Sequence, residues 1–187
     1  MTECWSIRAA KHQPINYISA MKKLLFTLHL SSLLIIAVGI GIALYLQHYY
    51  AIAAYSPCAL CVLQRYVYFG MFFALLFAFI PKSYAFILKV IVIPLGLINA
   101  GLAAYHIWIL NHPSITCGRE MLEEKLNSLA LAQWLPQVFE ASGFCFEKTQ
   151  PIFGLSLPVW SLLGAIIILC LSAFQLSQAR KRISRIF

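Results

Sequence analysis

Four apolar runs, at residues 24–46, 62–80, 85–110 and 157–176, constrain this chain more than any other feature of it. They are 23, 19, 26 and 20 residues long. A helix rises about 1.5 Å per residue and the hydrocarbon core of a bilayer is about 30 Å thick, so each run reaches spanning length. In hydrocarbon every backbone N–H and C=O must find its partner inside the segment, which makes such runs helices. Composition excludes the soluble alternative: 61% of residues are hydrophobic and only 11% are charged, against roughly 25% charged in ordinary soluble domains. The expected fold is all-α and integral to the membrane: a single domain over residues 1–187, with four transmembrane helices in one bundle.

The net charge of +8 would suit a nucleic-acid binder if it formed a groove, but it does not. Arg8, Lys11, Lys22 and Lys23 precede the first run, Lys82 lies in the turn 81–84, and Arg180, Lys181, Arg182 and Arg185 follow the last run. Basic residues beside apolar runs report orientation, with the basic side cytoplasmic. Both termini and the Lys82 turn are therefore expected in the cytoplasm. The 44-residue connection 111–154, with Arg119, Lys125 and Lys148 against five glutamates, is expected outside as a long periplasmic loop between helices 3 and 4. Residues 1–20 show no sustained periodicity and read as a cytoplasmic tail. Met21-Lys22-Lys23 before an apolar run is an alternative start of translation. A secretory signal reading of the same segment is disfavoured, because the run is long enough to span and no small-x-small cleavage site closes it.

This topology decides the setting of the cysteines. Cys58 and Cys61, at CxxC spacing, open the second helix on the outer side, and Cys117 and Cys145 lie in the outer loop, where disulfides form and persist. Ser56 reads as N-cap and Pro57 as the first helical residue, which places Cys58 and Cys61 in a first turn whose unpaired N–H groups favour thiolates. Arg65 follows Cys61 by four residues and can share its face as a fixed cation. If Cys117 and Cys145 pair, they close a loop of about thirty residues. Such a bridge can be a static staple or part of a relay, and a second dithiol on the same face favours the relay. The stripe Leu131, Trp134, Leu135, Val138 and Phe139 reads as packing, or as an interfacial helix with Trp134 at headgroup level. His106, near the outer end of the third helix, is either a partner of a bound cofactor or an interfacial histidine. His29 and His48 read as interfacial, and Cys170 as a small buried hydrophobe.

A thiol pair that is oxidised releases two electrons, which need an acceptor. No haem attachment motif and no nucleotide-binding glycine pattern is present. A zinc site of Cys58, Cys61, Cys117 and Cys145 would have to bridge a helix end and a mobile loop, and no metal is assigned. A lipid-soluble two-electron acceptor, a quinone, suits the setting best.

Pro57-Cys58-Ala59-Leu60-Cys61 with Gln64-Arg65, His106-Ile107-Trp108, Cys117, and Trp134-Leu135-Pro136-Gln137-Val138-Phe139-Glu140-Ala141-Ser142-Gly143-Phe144-Cys145 resemble the DsbB family of bacterial disulfide-forming membrane proteins. The likeness runs from about Met21 to the last helix. It implies a multi-pass protein of the bacterial inner membrane that reoxidises a periplasmic DsbA-like thioredoxin-fold partner and passes the electrons to the membrane quinone pool, ubiquinone or menaquinone. By the same resemblance, Cys117 is attacked by the partner, Cys145 is released and attacks Cys58, and Cys61 is left facing the quinone, with Arg65 and His106 beside it. Two other readings stand: a quinone-linked oxidoreductase like vitamin-K-epoxide reductase, whose CxxC lies late in its chain whereas here it opens the second helix, and a non-enzymatic membrane protein with a structural loop disulfide.

Overall fold

The computed structural model describes residues 3–49, 57–78, 85–112, 119–143, 145 and 151–183. Three long helices, α1 (Glu3–Tyr49), α2 (Ala59–Phe77) and α3 (Ala85–Asn111), are followed by three short ones, α4 (Arg119–Asn127), α5 (Ala130–Trp134) and α6 (Pro136–Phe139), and by α7 (Leu157–Ile183). Among the described residues no strand forms, and four helices are long and apolar enough to cross a membrane: Lys23–Tyr49, Ala59–Phe77, Ile87–Asn111 and Leu157–Gln178. The expected all-α membrane bundle is what the chain adopts.

The element bounds differ from the apolar runs in instructive ways. Residues 3–20, expected as a tail, continue α1 as helix, since extending an existing helix adds one hydrogen bond for each residue fixed. The second helix starts at Ala59, three residues before its apolar run, and the last runs on to Ile183, because basic residues at a membrane edge do not stop a helix. Pro94 sits inside α3 without ending it.

α3 packs chiefly on α7 and α2, while α1 lies against α7 and α2. Leu33, Ile36, Met71, Leu75, Val92 and Ile168 make a layer in which all four long helices meet. At Gly96 a Cβ would stand 2.7 Å from Leu169 Cδ2 and 2.9 Å from its Cγ, so the missing side chain lets α3 and α7 approach closely. The outward face is apolar too: Phe26, Leu30, Leu34, Val38 and Ile42 recur every four residues along α1 and are all exposed. In water that stripe would be a liability; in lipid it is the solvated surface.

Two positions lie on the opposite side from expectation. Cys170 is exposed on α7, because Ile168 takes the inward place and a small apolar thiol is at home against lipid. His29 is buried, with Nε2 2.9 Å from the Leu75 carbonyl oxygen, so it belongs to the bundle interior and not to the interface.

Candidate active site

One end of the bundle gathers the C-terminal ends of α1 and α3, the N-terminal end of α2, and the short helices of the connection. Pro57 and Cys58 hold this end together. The Pro57 carbonyl accepts from the N–H groups of Ser142 (3.1 Å) and Gly143 (3.2 Å), and Cys58 forms a parallel bridge with Gly143. Cys58 is consequently extended (φ −76°, ψ 164°) and is itself the N-cap of α2, with its carbonyl accepting from Val62 N–H at 3.0 Å. This corrects the expectation that Pro57 is helical: its carbonyl is committed to the loop, and only Cys61 of the pair lies in the first turn. Ser56 falls outside the described residues.

That bridge carries Cys145 onto Cys58. The two pack in one buried cluster with Leu60, edged by Cys61, Leu102, Ile109 and Leu122. The Cys58 and Cys61 sulfurs are 3.5 Å apart, and all three thiols are free. Cys58 thus sits between Cys61 on its own helix and Cys145 on the loop. Their environments push Cys58 and Cys145 apart in acidity. Cys145 is lowered to about 7, first by the hydrogen bond it shares with Cys58 and next by a backbone hydrogen bond from Leu60. Cys58 is raised, by its hydrogen bonds with Cys145 and Cys61 and by burial. A donor from the first turn of α2 therefore serves the loop thiol, whereas the spacing assigns the unpaired N–H groups of that turn to Cys58 and Cys61.

His106 reaches the pair from α3. Its Nε2 is 3.7 Å from Cys58 Sγ and its Nδ1 3.9 Å from Cys61 Sγ, and the ring is only 4% exposed. An interfacial, solvated histidine is excluded by that burial. Arg65 lies one turn below Cys61 and is 8% exposed. Its Nη1 donates to Gln47 Oε1 at 2.6 Å and to the Val138 carbonyl at 2.8 Å. Buried guanidinium groups need such partners, because removing the charge from water is costly.

The connection is built to present this end. Asn127 pairs with both backbone groups of one residue, its Nδ2 donating to the Ala141 carbonyl and its Oδ1 accepting from Ala141 N–H, each at 2.8 Å. Phe139 is buried, with its ring centroid 4.5 Å from Tyr66 and 5.2 Å from Phe69. The apolar stripe therefore divides: Phe139 packs on α2, whereas Trp134 is 78% exposed. Four of the six expected site residues, Cys58, Cys61, Cys145 and His106, form one cluster with Arg65 at its edge. Cys117 lies outside the described residues.

Residues 25–175 match the family described as "Disulfide bond formation protein DsbB". This chain belongs to the DsbB family. Among similar proteins, one named "Disulfide bond formation protein B" from Herminiimonas arsenicoxydans is 39% identical over 148 residues, covering 79% of this chain and 89% of its own length. Another of that name, from Ralstonia nicotianae, is 38% identical over 135 residues, 72% of this chain and 83% of its own. "Disulfide bond formation protein B 1" from Pseudomonas fluorescens is 34% identical over 148 residues, 76% and 84% respectively. Gln47, Asn127 and the Val138 carbonyl, which hold Arg65 and the Ala141 backbone around this cluster, are the parts that sequence reasoning missed. Gln47 lies at the end of the first apolar run, a neutral residue in an uncharged link, and no local pattern couples it to Arg65.

Proposed function

We propose that the protein is a quinone-dependent dithiol oxidoreductase that reoxidises a DsbA-like thioredoxin-fold partner in the bacterial periplasm and so supports disulfide formation in secreted proteins. The observation that carries this reading is the order of the sulfurs: Cys145 of the loop packs against Cys58, and Cys58 lies 3.5 Å from Cys61. A loop thiol seated on a membrane-side dithiol is what an exchange relay needs, and a static staple does not.

In this reading the loop carries a Cys117–Cys145 disulfide and the bundle a Cys58–Cys61 disulfide. A partner thiolate attacks Cys117 Sγ, a mixed disulfide forms, and Cys145 leaves as a thiolate. The second partner thiol then attacks its own half of the mixed disulfide, which leaves the partner oxidised and Cys117 reduced. Cys145, with its lowered pKa, attacks Cys58, Cys61 leaves, and Cys117 closes the loop disulfide again by displacing Cys58. The pair at the head of α2 now holds the two electrons.

A quinone, when bound, supplies the acceptor for that electron pair. The residues present fit one. Arg65 offers a buried cation, and Gln64 Nε2 is a buried donor without a hydrogen-bond partner among the described residues, both suited to carbonyl oxygens. Cys61 is less buried than Cys58, as the thiol on the acceptor side should be. His106, against both sulfurs, can take or hold a proton at Nδ1 or Nε2 as the thiols cycle. The site end then faces the periplasm and both termini the cytoplasm of an inner-membrane protein, following the basic flanks. Purified protein given a reduced DsbA-like substrate and a short-chain quinone should bleach the quinone absorbance. Absence of bleaching, or an undiminished rate with Cys61→Ser, rejects the reading.

A further inference from the structure

We propose that, when Cys58 and Cys61 are both reduced, they and His106 form a binding site for one soft divalent cation, Zn2+ above all, in competition with closure of the disulfide. One ligating atom from each of the three residues lies within 4.8 Å of the others. Tetrahedral zinc, with Zn–S of about 2.3 Å and Zn–N of about 2.0–2.1 Å, sets neighbouring sulfurs about 3.8 Å apart and sulfur and nitrogen about 3.6 Å apart. The observed contacts, 3.5 Å between the sulfurs and 3.7 and 3.9 Å from sulfur to ring nitrogen, stand close to those edges before any cation is present. One ring nitrogen ligates, so a small rotation of the imidazole completes the third edge.

The donor set and its support favour the same cation. Two thiolates and one imidazole are soft-to-borderline ligands that select zinc over magnesium or calcium. They come from the start of α2 and from α3, two packed helices, so the ligands are held in advance of binding. Cys58 and His106 are 3% and 4% exposed, while the greater exposure of Cys61 leaves an approach and a fourth position for water or Cys145. Arg65, whose charge would oppose a free cation, has Nη1 committed to the Gln47 and Val138 oxygens, and the two thiolates cancel the charge of the metal. Binding replaces two S–H protons by Zn2+, His106 contributes a lone pair, and no electron moves. A Cys58–Cys61 disulfide has no thiolate to offer, so metal and disulfide exclude each other.

This set differs from one drawn from the two cysteine pairs, because its three required ligands, Cys58, Cys61 and His106, come from the start of α2 and from α3, and none from Cys117. That binding would arrest turnover rests on the proposed redox cycle; the binding itself does not. The full chain in detergent, reduced with a phosphine, is titrated with Co2+ and then back-titrated with Zn2+. One Co2+ per chain should bind with thiolate-to-cobalt absorption and be displaced by Zn2+, and the oxidised chain should give no such signal. His106→Gln and Cys61→Ser should each weaken binding by roughly tenfold or more, while Cys117→Ser and the double variant Cys4→Ser/Cys170→Ser should bind as the parent does. Zn2+ should also slow alkylation of Cys58 and Cys61. Equal binding by the oxidised chain, parental affinity in His106→Gln, or loss of binding in Cys117→Ser overturns the site. A redox-inactive chain that still binds Co2+ in this pattern would reject the proposed cycle and leave the site standing.

Discussion

Arg65 Nη1 lies 2.6 Å from Gln47 Oε1, a contact that ties the last turns of α1 to the cation beside the dithiol. The Val138 carbonyl completes the hold from the loop side. Three parts of the chain far apart in sequence therefore agree on where one positive charge sits.

Removing that charge should separate two activities. Arg65→Ala is expected to raise the KM for quinone and depress its reduction by about tenfold or more, since hydrogen bonds to charged groups contribute roughly 1.5–3 kcal/mol. Formation of the mixed disulfide with the partner should change little. Steady-state kinetics with each substrate varied in turn tests this; equal losses on both sides would reject the assignment.

Gln47→Leu should act in the same direction and more weakly. It removes one of two acceptors from Nη1 while leaving the charge, so we expect a rise of a fewfold in the KM for quinone with little change in kcat. An unchanged KM would mean that the Val138 carbonyl alone orients the guanidinium.

The acidity of Cys145 sets a pH window. Its thiol is lowered to about 7, so the thiolate predominates above that pH and is progressively protonated below it. With the loop reduced, the alkylation rate of Cys145 should fall about tenfold for each unit well below the midpoint. Cys58→Ala removes the hydrogen bond that is first among the causes, and the midpoint should move upward. A midpoint that stays near 7 in Cys58→Ala would show that the Leu60 backbone alone sustains the thiolate.

Asn127→Ala loses both hydrogen bonds to the Ala141 backbone. Its N–H and carbonyl then lose these partners, at a cost of roughly 1–3 kcal/mol, and the loop should hold Cys145 less firmly over Cys58. The yield of a trapped Cys58–Cys145 disulfide, in a chain with Cys61 and Cys117 changed to Ser, measures this directly and should fall several-fold.

Gly96→Leu tests the bundle itself. A Cβ there would stand 2.7 Å from Leu169 Cδ2 and 2.9 Å from its Cγ, so a leucine must displace the Leu169 side chain or push α3 and α7 apart, and should lower the midpoint of thermal unfolding in detergent. Gly101→Leu, where a Cβ meets nothing within 4 Å, should be tolerated. Because leucine is the better helix former, propensity favours both variants, and similar losses in both would reject the Gly96–Leu169 approach as the cause.

The four spans and the CxxC with its arginine were legible without a structure, because bilayer thickness and backbone hydrogen bonding act on contiguous runs and the chemistry of a dithiol is written in its spacing. The start of α2 was misread by two residues because Pro57 has the local signature of a first helical residue, yet its carbonyl is claimed by Ser142 and Gly143. Cys170 was misassigned for a related reason: apolar character marks a residue as belonging to the span, but in lipid it does not say which face is inward. His106 could be placed at the right depth and no further.

The sequence by itself thus determined a four-helix membrane protein with a reactive cysteine pair at one helix start, since hydropathy and spacing are local properties. Only the tertiary structure decided that Cys145 rests on Cys58, that Gln47 and Val138 hold Arg65, and that His106 touches both sulfurs of the pair. Those relationships join residues 18 to 87 positions apart, and they follow from how helices pack and where a loop returns, which no short-range pattern encodes.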